Sequence, residues 1–375
     1  MFDCHYDLLT YIYMNRKNLR PVISHCKKIF NNNITGGIFN LFYMSEKEMY
    51  DELGVYTNEI DIIQNLKVVN YLIRRYRIIP YNIKYLIGIE GLDYLKDIND
   101  IDILYNLGIR SVGIVWNNKN KFGAGVRASN SEGLTTVGKQ LVDKLVNKKI
   151  AIDLSHANEK TFYDIIYKCK ELKEKGYNPI VFASHSNAKM YCNVPRNLTD
   201  RQLLEIKKLD GIVGVVSVKD FCTRYKDLDY EVAYINHIKY LKRLFGDVDN
   251  IAVATDDMSY YKIEPEKYQN MNVFKQEEIK NKIENLLLAN NFSSQEIEKI
   301  LNKNVYEKII KRLLWVRQIS SGIIYFNSLS ASHRRCNKAI AFNSPRRSPR
   351  NTSLLKYIKP LRLATVMLYN NFFLI

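Results

Sequence analysis

The sequence lacks several patterns that would place it in other classes of protein. Its 375 residues include only 16 glycines, and no glycine-rich phosphate loop follows the first apolar run, which argues against a nucleotide-binding open sheet. Its six cysteines form no CxxC pair or regular spacing, which argues against a disulfide framework or a zinc ribbon. It has no apolar run of about 18 residues and no secretory signal at its start, so we expect a soluble protein of the cytoplasm.

Acidic residues are absent from the last part of the chain. Residues 315–375 contain ten Lys or Arg and no Asp or Glu, so residues 1–314 hold 46 basic and 39 acidic groups. Most of the net charge of +17 therefore belongs to the tail, and it does not indicate that the whole protein binds nucleic acid. We predict a folded domain over 1–314 and a basic, disordered or non-native tail over 315–375, with nucleic-acid binding by the tail as an alternative.

Short apolar runs alternate with longer amphipathic stretches. Eight runs have the β-branched content of strands that are buried on both faces, at 2–5, 37–43, 86–90, 111–116, 150–155, 180–184, 211–216 and 251–255. Helical patterns occupy 46–76, 135–147, 157–175, 199–208, 230–245, 276–289 and 294–314, and Thr199 with Gln202 resembles a capping box. This alternation predicts an α/β fold of the (β/α)8 TIM-barrel type, with a doubly wound open sheet as the alternative.

Three of the six histidines stand at the carboxyl ends of predicted strands, namely His5, His156 and His185. Active sites of such barrels lie at this end of the strands. His5 and Asp7 are two residues apart and face one side of an extended chain, and Asp3 on that side is expected to orient His5. Taken singly, each histidine is equally compatible with a hydrogen-bonded structural role.

Glu90 ends the third predicted strand, where burying an acid is costly unless it is paired or bound to metal. Together with His5, Asp7, His156 and His185 it makes a set of three imidazoles and two carboxylates, which suits zinc or a similar metal. Five ligands are too many for one open catalytic ion. The set therefore predicts two ions that share one carboxylate.

The eighth predicted strand ends with Asp256 and Asp257. A carboxylate there faces the same mouth of the barrel and can carry protons, although a helix cap or a turn is the alternative. Arg196, by itself, is a basic residue in a loop after the sixth strand.

The motifs, taken in order from residue 2 to about residue 314, resemble those of the membrane dipeptidases, the zinc peptidases typified by renal dipeptidase. The resemblance is carried by Asp3-Cys4-His5-Tyr6-Asp7, Thr35-Gly36-Gly37, Ile89-Glu90-Gly91, Ile152-Asp153-Leu154-Ser155-His156, Ser184-His185-Ser186-Asn187-Ala188 and Pro195-Arg196-Asn197-Leu198-Thr199-Asp200.

The resemblance implies a metallo-dipeptidase with two Zn2+ ions per chain. His5 and Asp7 would hold one ion, His156 and His185 the other, and Glu90 would bridge them. A hydroxide between the ions would attack the peptide carbonyl of a dipeptide with a free C-terminal carboxylate, including D-residues at the second position.

The resemblance also implies roles around the substrate. Asp256 would move the proton to the leaving amine, and Arg196 would clamp the free carboxylate. Trp116 and Asn117 stand where the renal enzyme has a substrate-contacting histidine. The family usually has Gly-Ser-Asp-Phe-Asp-Gly at the eighth strand, whereas this chain has Ala-Thr-Asp-Asp-Met-Ser over 254–259, which leaves open whether Asp256 or Asp257 faces the metals.

The resemblance therefore implies a soluble, cytoplasmic, bacterial-type member that acts on dipeptides, without nucleic acid as a partner. Because members of the family are often dimers, it also implies a homodimer. The alternatives are a binuclear-metal amidohydrolase for another small amide or lactone, and a degenerate barrel whose basic tail binds nucleic acid.

Overall fold

Eight parallel strands pair in the order in which they occur in the chain, and the last pairs with the first to close a barrel. This computed structural model describes residues 1–32, 34–43, 60–225, 227–259 and 270–314. The strands are β1 (Phe2–Tyr6), β2 (Gly36–Phe42), β3 (Lys84–Glu90), β4 (Ile109–Gly113), β5 (Ala151–Asp153), β6 (Val181–Ala183), β7 (Ile212–Val216) and β8 (Ile251–Ala254). The predicted (β/α)8 barrel is thus confirmed, and the open sheet is excluded.

Several strands end earlier than the apolar runs that predicted them. β4 ends at Gly113 rather than at residue 116, because the next carbonyl, that of Ile114, accepts hydrogen bonds from the Leu92 amide and the Asn120 side chain instead of from a strand. β5 and β6 have three residues each. The histidines that follow them, His156 and His185, therefore lie in loops at the mouth of the barrel.

The helices surround the barrel. They are α1 (Leu8–Met14), α2 (Arg20–Asn32), α3 (Ile62–Tyr76), α4 (Asp100–Asn106), α5 (Thr136–Asn147), α6 (Glu159–Glu174), α7 (Asp200–Lys208), α8 (Lys219–Cys222), α9 (Tyr230–Phe245), α10 (Ile279–Ala289), α11 (Ser294–Glu298) and α12 (Lys311–Leu314), with π-helical segments at Lys299–Lys303 and Tyr306–Ile310.

The helix predicted over 46–76 begins at Ile62, because Asp61 adopts an extended conformation and caps it by accepting from the Gln64 amide. Residues 46–59 of that prediction lie outside the described residues. The capping box at Thr199 and Gln202 is confirmed. α1, α2, α4 and α8 were not predicted.

Apolar side chains fill both the interior of the barrel and the layer between strands and helices. Interior side chains such as Cys4, Ile38, Leu86 and Phe182 are completely or almost completely buried. Each large one contributes on the order of 1.5–3 kcal/mol by its removal from water. This packing fixes the strand ends that carry the polar residues described below.

The closing seam between β1 and β8 is short. Its register contains one pair, Asp3 with Val253, and it is reinforced by the Asp3 carboxylate, which accepts from the Thr255 amide at 3.0 Å and the Thr255 hydroxyl at 2.5 Å. The buried carboxyl group of Asp3 thereby joins the first and last strands.

Five cysteines in the described part of the chain are free and buried. None of the described helices combines the length and apolar character that crossing a membrane requires. The tail predicted over 315–375 lies outside the described residues.

Candidate metal centre

Three imidazoles from separate strand ends converge on one carboxylate. The Nε2 atom of His5 lies 3.2 Å from Oε2 of Glu90, while the Nε2 atoms of His156 and His185 lie 2.6 and 3.3 Å from Oε1. All four side chains are buried. Glu90 therefore stands between one histidine on one side and two on the other.

Two aspartates complete this cluster. Oδ1 of Asp7 lies 3.5 Å from Nε2 of His5, and Oδ1 of Asp256 lies 3.9 Å from the same atom. Ligand atoms within 4.8 Å of one another form three groups: His5, Asp7 and Glu90; Glu90, His156 and His185; and His5, His185 and Asp256. The structure thus brings together all five predicted ligands and adds Asp256 at their edge.

Asp256, rather than Asp257, faces the cluster. Asp256 lines the cavity at the mouth of the barrel, while Asp257 accepts from the Ser259 amide and lies close enough to Tyr6 to raise the pKa of that phenol, after the larger effect of burial. The sequence left open which of the two aspartates faces the proposed metals. The left-handed turn at Asp256, where φ is +47°, directs the Asp256 side chain rather than that of Asp257 towards the cluster.

The backbone is strained at two of the site residues. His156 has φ of +69° and Asp256 has φ of +47°, in the left-handed region that residues other than glycine seldom occupy. Such conformations cost on the order of 1–3 kcal/mol each and persist where the surroundings impose them. Both follow a strand end and turn a polar side chain into the mouth.

The opposite nitrogen of each imidazole is also held. Nδ1 of His156 lies 2.8 Å from Oδ1 of Asn117, and Ser184 Oγ lies 2.9 Å from Nδ1 of His5 and 2.6 Å from Nδ1 of His185. The Asn40 amide lies 3.0 Å from Nδ1 of His5. Each ring therefore has a fixed orientation that points its Nε2 atom towards Glu90.

Ser184, Asn40 and the ring contact of Asn117 were not predicted. Asp3, which was expected to orient His5, holds it through the backbone, because its carboxylate accepts from the His5 amide at 3.1 Å and also from Thr255. The only sequence signal for Ser184 was its position directly before His185.

The electrostatics of the cluster reflect its burial. Burial alone would raise the pKa of Glu90, but His5 and His156 outweigh it and hold that pKa well below its usual range. Burial, followed by the Glu90 carboxylate, raises the pKa of Asp7 to about 7. Burial also raises the pKa of Asp256 to about 6 and lowers that of His156 to about 4.

These observations fit a divalent metal centre. Buried carboxylates that raise one another's pKa gain stability from a cation between them, and neutral imidazoles with free Nε2 atoms are the usual nitrogen ligands of zinc. The mixed nitrogen and oxygen set is richer in imidazole than magnesium or calcium sites are.

A cavity of about 330 Å³ opens above the cluster. Seven of the nine predicted site residues line it, whereas His5 and His185 are completely buried and do not. Those seven are Asp7, Glu90, Trp116, Asn117, His156, Arg196 and Asp256. Its apolar walls include Phe42, Val218, Phe221, Met258 and Met271. The cavity therefore combines a charged floor with walls that suit apolar groups.

Arg196 is buried in the wall of this cavity. One of its terminal nitrogens donates to the His185 carbonyl at 3.3 Å, and its Nε has no hydrogen-bond partner among the described residues. The guanidinium carbon lies 5.4 Å from the centre of the Phe221 ring, and burial lowers the pKa of Arg196. Arg196 therefore places a cation, with a donor that no described residue satisfies, in the wall of the cavity.

A closed α/β barrel with histidines and carboxylates at the carboxyl ends of its strands is an architecture of metal-dependent hydrolases. The family model of the membrane dipeptidases (peptidase family M19) matches residues 1–313, and the chain belongs to this family.

Curated relatives match part of the chain. A protein in the pqqA 5′ region of Klebsiella pneumoniae is 37% identical over 166 residues, covering 42% of this chain and 58% of the relative. An uncharacterised dipeptidase of Schizosaccharomyces pombe is 27% identical over 178 residues, covering 47% of this chain and 42% of the relative. The chain spans about half the length of the curated relatives it matches.

Solved structures share the fold. A metallopeptidase from Rhodobacter sphaeroides, liganded with a phosphinate mimic of the dipeptide L-Ala-D-Ala, is 22% identical with a TM-score of 0.65. The alignment covers 83% of this chain and 98% of that one.

Proposed function

We propose that this protein is a metallopeptidase that hydrolyses dipeptides with a free C-terminal carboxylate and uses two Zn2+ ions. The observation that carries the proposal is the convergence of three imidazole Nε2 atoms on the two oxygens of Glu90. Family membership supports the same reaction.

In this proposal His5 and Asp7 would hold one ion and His156 and His185 the other, with Glu90 available to both. Bound zinc would lower the pKa of a water molecule and polarise the peptide carbonyl. Asp256 is 3.9 Å from His5 Nε2 and lines the cavity, which supports the proposal that its carboxyl carries a proton to the leaving amine.

Arg196 would bind the C-terminal carboxylate, because its Nε and a terminal nitrogen form a planar fork that matches two carboxylate oxygens. Trp116 would contact the substrate from the wall of the cavity, where its ring centroid lies 5.0 Å from that of Phe42. Asn117 lines the same cavity and accepts a hydrogen bond from Nδ1 of His156. The Rhodobacter protein was solved with a mimic of L-Ala-D-Ala, which supports D-residues at the second position.

We also propose that the domain ends near residue 314, that it works in the cytoplasm and that it forms a homodimer. The free cysteines fit a reducing compartment. A binuclear-metal amidohydrolase acting on an uncharged amide or lactone is the competing assignment, and the buried cation of Arg196 favours the dipeptidase.

The test combines metal analysis with an activity assay. Protein purified without chelators is analysed by plasma mass spectrometry and assayed with Gly-D-Ala and Ala-Ala. We expect about two zinc per chain and turnover of both peptides, because the site offers ligands for two ions. Glu90→Gln should lose metal and activity together, whereas Glu171→Gln, an exposed change on α6, should lose neither.

Each outcome has a distinct meaning. Two zinc without dipeptide turnover would keep the metal centre and move the substrate to the competing assignment. Protein that takes up no metal, even after dialysis against zinc, would refute the proposed enzyme.

A further inference from the structure

One buried hydroxyl touches a histidine of each proposed metal position. Ser184 Oγ lies 2.9 Å from Nδ1 of His5, 2.6 Å from Nδ1 of His185 and within hydrogen-bond distance of Asp153 Oδ2. Ser184 and both histidines are completely buried. Water therefore does not compete for these contacts.

A proton count fixes the direction of each bond. A serine hydroxyl has one hydrogen and two lone pairs, and an ionised carboxylate only accepts. With Asp153 as a carboxylate, Ser184 donates to Asp153, and its two lone pairs accept from Nδ1–H of His5 and Nδ1–H of His185. Both rings then carry their proton on Nδ1 and leave Nε2 free on the side of Glu90.

We infer that Ser184, held by Asp153, is a positioning residue that sets the Nδ1–H tautomer of both His5 and His185 and so couples the two metal positions. The inference rests on the proposed function, because it takes these histidines as ligands of different ions. Neither Ser184 nor Asp153 is among the residues that line the cavity above the cluster.

The backbone holds Ser184 in place for this role. Oδ1 of Asp153 accepts from the Ser184 amide at 2.9 Å and from the Ser155 amide at 3.0 Å, which leaves Oδ2 for the Ser184 hydroxyl. A Cβ at Gly214 would lie 1.9 Å from the Ser184 carbonyl oxygen, so the glycine allows β7 to pack against this point. The hydroxyl therefore has little freedom to turn elsewhere.

The same count assigns the neighbouring groups. The side-chain nitrogen of Asn40, Nδ2, lies 3.0 Å from Nδ1 of His5, so the Nδ1–H tautomer of His5 requires the Asn40 amide to be turned by 180° so that its oxygen accepts. His5 then shares its Nδ1 proton between Asn40 and Ser184. The Ser155 hydroxyl is 3.4 Å from Ser184 Oγ and accepts from the His185 amide at 3.1 Å. Ser155 thus belongs to the network but contacts no imidazole ring.

Zinc affinity of the metal-free protein provides the first test. Ser184→Ala leaves the Nδ1–H of His185 without its acceptor and that of His5 with Asn40 alone. We therefore expect both binding events to weaken, by about 10- to 100-fold at the position of His185 and by less at that of His5, as for other groups that orient metal ligands. The measurement is a Zn2+ titration in competition with a chromophoric chelator, with circular dichroism to verify folding.

Ser155→Ala is the matched control, since it also removes a buried hydroxyl beside the same histidine. We expect it to weaken Zn2+ binding by less than about 3-fold, because both ring orientations are kept. Weakening by Ser184→Ala at one position alone, or no greater than in Ser155→Ala, would overturn the inference.

Asp153→Asn tests the proton count with almost no change of shape. Its Oδ1 still accepts the two backbone amides, so its NH2 faces Ser184 Oγ and reverses that hydrogen bond. The hydroxyl must then donate to one imidazole, which is forced into the Nε2–H tautomer. Nitrogen-15 spectra of the zinc-loaded protein should show one of the two rings changing tautomer or losing its metal. Two unchanged Nδ1–H signals would refute the inference.

The titration separates this inference from the proposed function. Wild-type protein that binds fewer than two Zn2+ would overturn both. Wild-type protein that binds two, together with unchanged binding by Ser184→Ala, would overturn the positioning role and leave the metallopeptidase assignment intact.

Discussion

Replacing Arg196 by alanine should reveal how the cavity selects its substrate. The guanidinium is buried, its Nε has no hydrogen-bond partner in the part of the chain that the structure describes, and one terminal nitrogen donates to the His185 carbonyl over a long 3.3 Å. A substrate carboxylate would therefore receive two charge-assisted hydrogen bonds of roughly 1.5–3 kcal/mol each. Desolvation of the carboxylate offsets part of this, so we expect a net loss of about 3 kcal/mol, or about 150-fold.

This loss should fall mainly on KM, because Arg196 contacts a part of the dipeptide that does not change during hydrolysis. The assay compares Ala-Ala with its C-terminal amide in wild-type and Arg196→Ala enzymes. Wild type should discriminate against the amide by about the same factor, whereas the variant should treat the two substrates alike within about 3-fold.

Arg127→Ala is the control, since Arg127 is an exposed cation at the mouth whose guanidinium lies 5.8 Å from the centre of the Trp116 ring. Its effect on KM should be small and screened by salt. Arg196 does not bind the carboxylate if Arg196→Ala keeps the wild-type preference for the free acid over the amide. The same conclusion follows if Arg127→Ala loses that preference to the same extent.

Three further predictions concern stability. Thr255→Val removes the hydroxyl donor from the buried Asp3 carboxylate and should lower the free energy of unfolding, measured by urea denaturation, by about 1–3 kcal/mol. Thr255→Ser keeps the hydroxyl and should retain most of the wild-type stability. His237 accepts from the Ala188 amide and donates to the Cys222 carbonyl, and burial lowers its pKa to about 4. The neutral His237 contributes fully to the free energy of unfolding above pH 6.5, and this contribution is lost as the pH falls towards 4. The free energy of unfolding of the wild type should therefore fall by about 2 kcal/mol between pH 7 and 5, and that of His237→Phe should not. Equal pH slopes of the two proteins would contradict this. Asn158→Ala removes the cap of α6 and two bonds to the carbonyls of Ser129 and Glu132, and should lower the midpoint of thermal unfolding, whereas an unchanged midpoint would mean that the cap contributes nothing.

The barrel could be predicted because strands that are buried on both faces leave a clear apolar signal. Ile212–Val216 was predicted to within one residue for this reason. The ends of β4 and β5 were less accurate, because apolar residues such as Ile114 and Leu154 continue into loops that are buried under the mouth. Apolar character there reports burial rather than strand pairing.

A residue of the candidate site could be predicted where its own type is unusual for its place in the sequence. An acid at the end of an apolar strand, such as Glu90, is conspicuous in the sequence. A serine such as Ser184 is not, because its importance comes from β1 and β5 being brought against it by closure of the barrel. The choice of Asp256 over Asp257 depends on a single left-handed turn, which no residue pattern announces.

The seam between β1 and β8 has a consequence for how the protein is made. Asp3 and Thr255 are 252 positions apart, and their hydrogen bonds hold His5 and Asp256 at adjoining strand ends. A nascent chain cannot form these contacts until β8 has left the ribosome, so the site forms late, after most of the barrel has been synthesised. Fragments that stop before residue 251 should thus be unable to assemble the complete site, however well their own strands pair.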